Sequence, residues 1–266
     1  MDGFPSLVPT IFAGVALVTV IGSTPAGAAE LTVVSGGAMH AALQELAPAF
    51  KRFSGHKAVI EFSMVGKVEE KVAGDEPIDV AILPQPLFDK LVRSGRLLGG
   101  SATRLARVPI GLAVKNGAPQ PDIGSVEAFK KTLLDARILT YGDPGMGDAA
   151  GVHVAHLIEW FGLAAELKAK TRLNSPAPGQ GGAQYLSGLF QRGEAEIAMA
   201  PISVLSETQG IDIVGLLPAE LQSPDLTFVA GTAWRCRHPL EAKAFLNFLA
   251  GERGRAVYLA KGMQPD

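Results

Sequence analysis

Leu31-Thr-Val-Val-Ser-Gly-Gly-Ala-Met-His40, continued by Ala41-Ala-Leu-Gln-Glu-Leu-Ala-Pro-Ala-Phe50, sets the architecture. Residues 31–35 form a short, nearly unbroken apolar run, as in a strand covered on both faces. Gly36-Gly37 ends it. From Met39 onward the apolar period changes: Met39, Leu43, Leu46, Phe50 and Phe53 share one helical face. A strand that turns through glycine directly into a helix is the opening of a βαβ unit.

The same grammar continues outward. Residues 58–62 and 78–83 read as strands, the second stopped by Pro84, and 67–73 and 87–92 as helices closed by Gly74 and Gly95. Residues 106–114 read as one long apolar strand, followed by a loop over 116–121. A second series follows: helix 126–134, strand 137–141, helices 150–161 and 183–190, strands 195–199 and 211–217. Strand 226–234 turns back toward the first half, and helices 240–249 and 251–260 close the chain. This alternation predicts an α/β fold of two lobes. Each lobe is a mostly parallel sheet flanked by helices, and the ligand cleft lies between them. The expected division is 29–110 with 226–266 for the first lobe and 111–225 for the second.

Residues 10–22 are an uncharged apolar run, shorter than the roughly 20 residues a membrane span needs. Ala26-Gly27-Ala28 behind it fits a cleavage site, so 1–28 reads as a secretory signal peptide and the mature chain as periplasmic. The region before the run carries Asp2 and no Lys or Arg, which departs from the usual pattern. With 24 Lys and Arg against 26 Asp and Glu, the net charge of −2 offers no basic surface for nucleic acid. A hydrophobic content of 47% excludes a disordered chain. Cys236 is the single cysteine, so no internal disulfide forms. Arg235 and Arg237 flank it and would lower its pKa, although its place at a strand end suggests a structural role. His153, His156 and Glu159 share a helical face but lack an H-E-x-x-H motif and a further ligand, so neither a metal site nor a cofactor is expected. No heptad or self-pairing strand stands out, which suggests a monomer.

Four strand-to-helix junctions should face the cleft. The first, Gly37-Ala38-Met39-His40, leaves backbone N–H groups at a helix start, where an anion is favoured. The second is Val65-Gly66-Lys67. A lysine in the first turn opposes the helix dipole, and an anionic ligand would remove the conflict. The third runs through Met146-Gly147-Asp148 to Ala150, where Asp148 suits a helix cap. The fourth runs from Asn174 to Gly182 and leads into the helix at Ala183. A late position, Pro201, joins them by the resemblance below.

The leader, the opening motif, Asp79-Val-Ala-Ile82, Gly142-Asp-Pro144 and Gly193-Glu-Ala-Glu-Ile197 together resemble the periplasmic molybdate-binding proteins. These are substrate-binding subunits of ABC transporters with the type II binding-protein fold. The resemblance spans 31 to about 263. It implies a small anionic ligand, a permease partner in the inner membrane, and ligand contacts from side-chain hydroxyls and backbone N–H groups. Here the three hydroxyl positions hold Ala38, Val65 and Pro201, and the two amide positions fall on Ala150 and Ala183. Each unpaired oxygen of a buried dianion would cost about 1–3 kcal/mol, which disfavours molybdate and favours an organic polycarboxylate. Gly117-Ala-Pro-Gln-Pro-Asp-Ile123 and Leu217-Pro-Ala-Glu-Leu-Gln222 are similar to a divergent branch that contains aconitate isomerase. That branch implies an alternative: a 1,3-proton shift on a tricarboxylate, with Lys67 and His40 as anchors and His40 or Asp148 as base.

Overall fold

The computed structural model describes residues 27–177 and 180–266, together with Met1. The leader read at 1–28 lies outside the described residues except at its ends. In chain order the elements are β1 (Glu30–Gly36), α1 (His40–Ser54), β2 (Lys57–Ser63), α2 (Val65–Ala73), β3 (Val80–Pro84) and α3 (Gln85–Arg93). Then come β4 (Thr103–Arg107), β5 (Ile110–Lys115), α4 (Val126–Asp135), β6 (Leu139–Gly142), α5 (Ala149–Trp160), α6 (Ala164–Leu167) and β7 (Thr171–Asn174). The chain continues with α7 (Gly182–Gln191), β8 (Ile197–Pro201), α8 (Ile202–Leu205), β9 (Ile211–Leu216) and β10 (Thr227–Thr232). It closes with α9 (Pro239–Ala250), α10 (Glu252–Ala260) and β11 (Gln264–Pro265).

The strands form two sheets, ordered β11-β4-β10-β3-β1-β2 and β7-β6-β8-β5-β9. In the first, β1 pairs in parallel with β2 and β3, and β10 runs antiparallel between β3 and β4. In the second, β6 pairs in parallel with β7 and β8, and β5 runs antiparallel between β8 and β9. The chain is thus two α/β lobes with mixed sheets: the expected parallel pairs, β2-β1-β3 and β7-β6-β8, are each extended by antiparallel strands.

The apolar run of β1 is explained by cover on both faces. Leu31 and Val33 pack with α1, α9 and α10, whereas Val34 packs with the side chains of α2 and α3. Phe50 anchors the first of these layers, 4.9 Å from Phe245 and 5.5 Å from Phe248 between ring centroids. The second sheet is covered in the same way. Ile110, Leu112 and Val114 face α4 and α5, and Ala113, Ala198 and Ala200 face α7 and α8.

The single strand read at 106–114 is two strands. Val108-Pro109 carries the chain from one sheet to the other: the Val108 N–H donates to the Leu226 carbonyl (2.9 Å), and the Pro109 carbonyl accepts from the Ile202 N–H (2.9 Å). Its continuous apolarity comes from burial in two successive lobes rather than in one. Buried Asp79 ties β3 to its surroundings by accepting from the backbone N–H groups of Thr32 (2.8 Å), Arg237 (2.7 Å) and His238 (3.1 Å). Beside it, burial and the Asp79 carboxylate push the Cys236 thiol up to about 11, the reverse of what its flanking arginines suggest.

Candidate functional site

Segments that follow β1 and β2 meet segments that follow β6 and β8. Beside the crossing segment, the Ser203 hydroxyl donates to the Ala38 carbonyl (2.6 Å). Next to it, His40 Nδ1 lies 3.0 Å from Glu207 Oε2. On the β2 side, Gly66 meets the Met146-Gly147 turn. Gly147 has φ +75°, and a Cβ there would stand 3.1 Å from Gly66 Cα and 3.2 Å from Gly66 N. Only glycine at 147 supplies both the left-handed turn and the close approach.

Five helices of eight residues or more follow parallel strands, α1, α2, α3, α5 and α7, of which α3 starts beside a groove outside this region. None carries an acidic residue in its first turn. Of these only α5 has a side-chain cap. By contrast, α4, α9 and α10, which follow other connections, carry Glu127, Glu241 and Glu252 there. The first N–H groups of a helix have no partner within it, and the dipole places partial positive charge on them. The cleft therefore collects donors that no carboxylate of their own first turn neutralises, an arrangement suited to a small anion.

The structure gives each sequence candidate a place. Gly37, Ala38 and Met39 form a single 3-10 turn between β1 and α1. His40 starts α1; its Nε2 lies 2.8 Å from Gln44 Nε2 and its ring packs edge-on against Phe62. Because the Gln44 amide nitrogen only donates, His40 Nε2 accepts and Nδ1–H donates to Glu207. Lys67 is exposed and paired with Glu70 (2.7 Å) on its own helix. Both expected cationic anchors thus have carboxylate partners. Val65 and Gly66 begin α2 without a side-chain cap. Asp148 caps α5: its carboxylate accepts from Gly151 N–H (2.6 Å), and the Ala150 N–H also points to it. Burial pushes the Asp148 pKa up, and those two N–H groups pull the other way. The Ala150 amide is accordingly engaged by this cap rather than left open, as the resemblance implied. Gly182 and Ala183 begin α7, and Pro201 ends β8, buried beside Ser203.

Sequence reading missed Ser203 and Glu207, and placed Asn174 at the fourth junction without a role for its side chain. Ser203 and Glu207 meet partners 165 and 167 residues away, so no local pattern marks them. His153 Nε2–H donates to the Leu221 carbonyl (2.8 Å), a packing role. Among the described residues, no group of three His, Cys, Asp or Glu is placed to hold a metal ion. No helix among them is long and apolar enough to cross a membrane. A groove of about 820 Å³ lies outside the cleft, along α3, β4 and β11. Its Arg104 is bound to Asp266 (2.7 Å) and Arg107 to Gln264 (2.8 Å).

A family model described as bacterial extracellular solute-binding protein matches residues 31–264. The chain belongs to this family. Among solved structures it is similar to the Azotobacter vinelandii periplasmic molybdate-binding protein, with a TM-score of 0.69 and 20% identity over 88% of this chain and 98% of that one. The sulfate-binding protein SubI from Mycobacterium tuberculosis gives 0.65 and 16% over 89% and 87%. At these identities the likeness establishes the fold of this solute-binding protein. A curated relative, aconitate isomerase from Pseudomonas sp., is 32% identical over 98% of both chains.

Proposed function

We propose that the solute-binding protein captures a small organic polycarboxylate between its lobes and presents it, in the periplasm, to an ABC-type permease. The observation that carries this reading is the set of helix starts without acid or side-chain cap, those of α1, α2 and α7, gathered where the lobes meet. The chain lacks hydroxyls at Ala38, Val65 and Pro201, and the nearby Ser203 hydroxyl is occupied by the Ala38 carbonyl. A tetrahedral dianion would therefore find few side-chain donors, while planar carboxylates can spread their charge over several helix starts.

The relation to aconitate isomerase supports a second reading, a proton shift between cis- and trans-aconitate in the same cleft. It requires one group that removes a proton from carbon and returns it two carbons away. Asp148 is committed to its cap and Lys67 to Glu70. His40, held by Glu207 and Gln44, is the group left to move a proton.

One experiment separates the readings. Thermal unfolding is followed with molybdate, sulfate, citrate, and cis- and trans-aconitate, and the aconitate samples are then read by NMR. A ligand at a hundred times its Kd stabilises by about 2.7 kcal/mol. Stabilisation by carboxylates without interconversion supports capture, and interconversion supports the isomerase. Stabilisation by molybdate alone refutes both.

A further inference from the structure

We infer that Asn174 is a specificity residue of the cleft, and that its side-chain oxygen accepts a hydrogen bond from a hydroxyl on the bound anion. The preferred ligand is then a hydroxycarboxylate. This rests on the reading of the cleft as a carboxylate site.

Asn174 ends β7 and is 6% exposed. It pairs with Gly142 across the sheet, and its carbonyl accepts from the Asp143 N–H (3.2 Å), so it stands at the cleft end of the second lobe. Its Nδ2 lies 3.5 Å from the carbonyl of Gly182, the first residue of α7. A Cβ on Gly182 would point at that same nitrogen, 4.0 Å away. Turning the amide over would set oxygen against oxygen, so the acceptor Oδ1 is the atom left over. No group of the described residues donates to it.

Buried acceptors are almost always paired, and one that is not calls for an explanation. Two other buried groups lack a partner, the Thr140 and Tyr258 hydroxyls. Tyr258 lies in the core of the first lobe, and Thr140 lies inside β6; neither adjoins a helix start. Asn174 alone of the three does.

The two features ask for different things. The first turn of α7 offers N–H donors, which suit a carboxylate. Asn174 Oδ1 needs a donor, which an ionised carboxylate does not have. A carboxylate with an adjacent hydroxyl satisfies both; a fully ionised oxyanion or a carboxylate lacking the hydroxyl satisfies only the first.

The test pairs hydroxylated and deoxy probes, L-malate against succinate and citrate against propane-1,2,3-tricarboxylate. Calorimetric titration is made into the full chain and into Asn174→Leu, with thermal unfolding of both free proteins. The expected result is a preference of about tenfold or more for the hydroxylated probe, lost in N174L. The free N174L protein should melt close to the original, because loss of the unpaired buried acceptor offsets loss of the long Nδ2 bond to the Gly182 carbonyl (3.5 Å). A residue serving only the fold would lower the melting temperature instead. Equal affinity within each pair, or a preference that survives in N174L, overturns the inference and leaves the carboxylate cleft standing. Failure of all four probes to bind overturns the cleft reading and this inference with it.

Discussion

Two kinds of helix start coexist in this molecule. Away from the cleft, α4 begins with Ser125 accepting from the Ala128 N–H and carries Glu127, while α9 and α10 carry Glu241 and Glu252. At the cleft, α1, α2 and α7 begin without side-chain caps or first-turn acids. An acid near a helix start contributes about 0.3–1 kcal/mol, and a cap about 0.5–2 kcal/mol. The cleft forgoes these contributions several times over. The difference teaches that local helix stability was not what shaped these junctions. Of these N–H groups, that of His40 donates to the Gly37 carbonyl and that of Lys67 to the Met64 carbonyl (2.9 Å), so the remaining first-turn groups are the ones open to a ligand.

The largest effect should come from closing the contact on which the cleft depends. Gly147→Val forces a β-branched residue to φ +75° against the Gly66 backbone. It should lose about 1–2 kcal/mol of stability and at least tenfold in carboxylate affinity, measured by denaturant unfolding and calorimetry. Next, Lys67→Glu gives α2 the acid that α4, α9 and α10 possess. Carboxylate affinity should fall about tenfold while the melting temperature holds or rises. Unchanged affinity would remove the basis of the comparison.

Asp148 is the exception among the cleft helices, and it sharpens the contrast. Asp148→Ala removes the cap and should cost about 0.5–2 kcal/mol. Asp148→Asn keeps the cap geometry and removes the buried charge. The folded-state pKa lies above the ordinary value of 3.8, so the protonated form favours folding, and that contribution fades as pH rises through the raised value. D148N should therefore exceed the original in stability at pH 7, with the gap shrinking as pH falls toward 4, in urea midpoints taken across that range. The smallest effect is the mirror of Lys67→Glu: Glu127→Lys should cost about 0.3–1 kcal/mol and leave ligand affinity unchanged.

Much of this architecture is legible in the residues. β1, α1 and β3 follow from runs of apolar residues cut by glycine and proline, because both faces of the sheet are buried there; β2, at the edge, follows from alternation instead. The break at Val108-Pro109 was hidden, since the buried residues Ala106, Val108 and Ile110 run on across it and the cause of the break is a crossing between lobes. β7, Thr171–Asn174, was hidden because an edge strand of four residues needs little apolar content. At the cleft, the glycine-rich junctions announced themselves. Their partners did not: Ser203 and Glu207 matter only because the fold brings them to Ala38 and His40. Side-chain charge is legible only in part in the same way, for the sequence shows Lys67 and His40 but not that Glu70 and Glu207 stand beside them.

The central claim is that helix starts free of first-turn acids bind a carboxylate where the lobes meet. Calorimetric titration of citrate, trans-aconitate and molybdate into the protein tests it most directly. The account predicts saturable binding of at least one of the two carboxylates and none of molybdate at comparable concentration. Tight binding of molybdate with both carboxylates inert would contradict it.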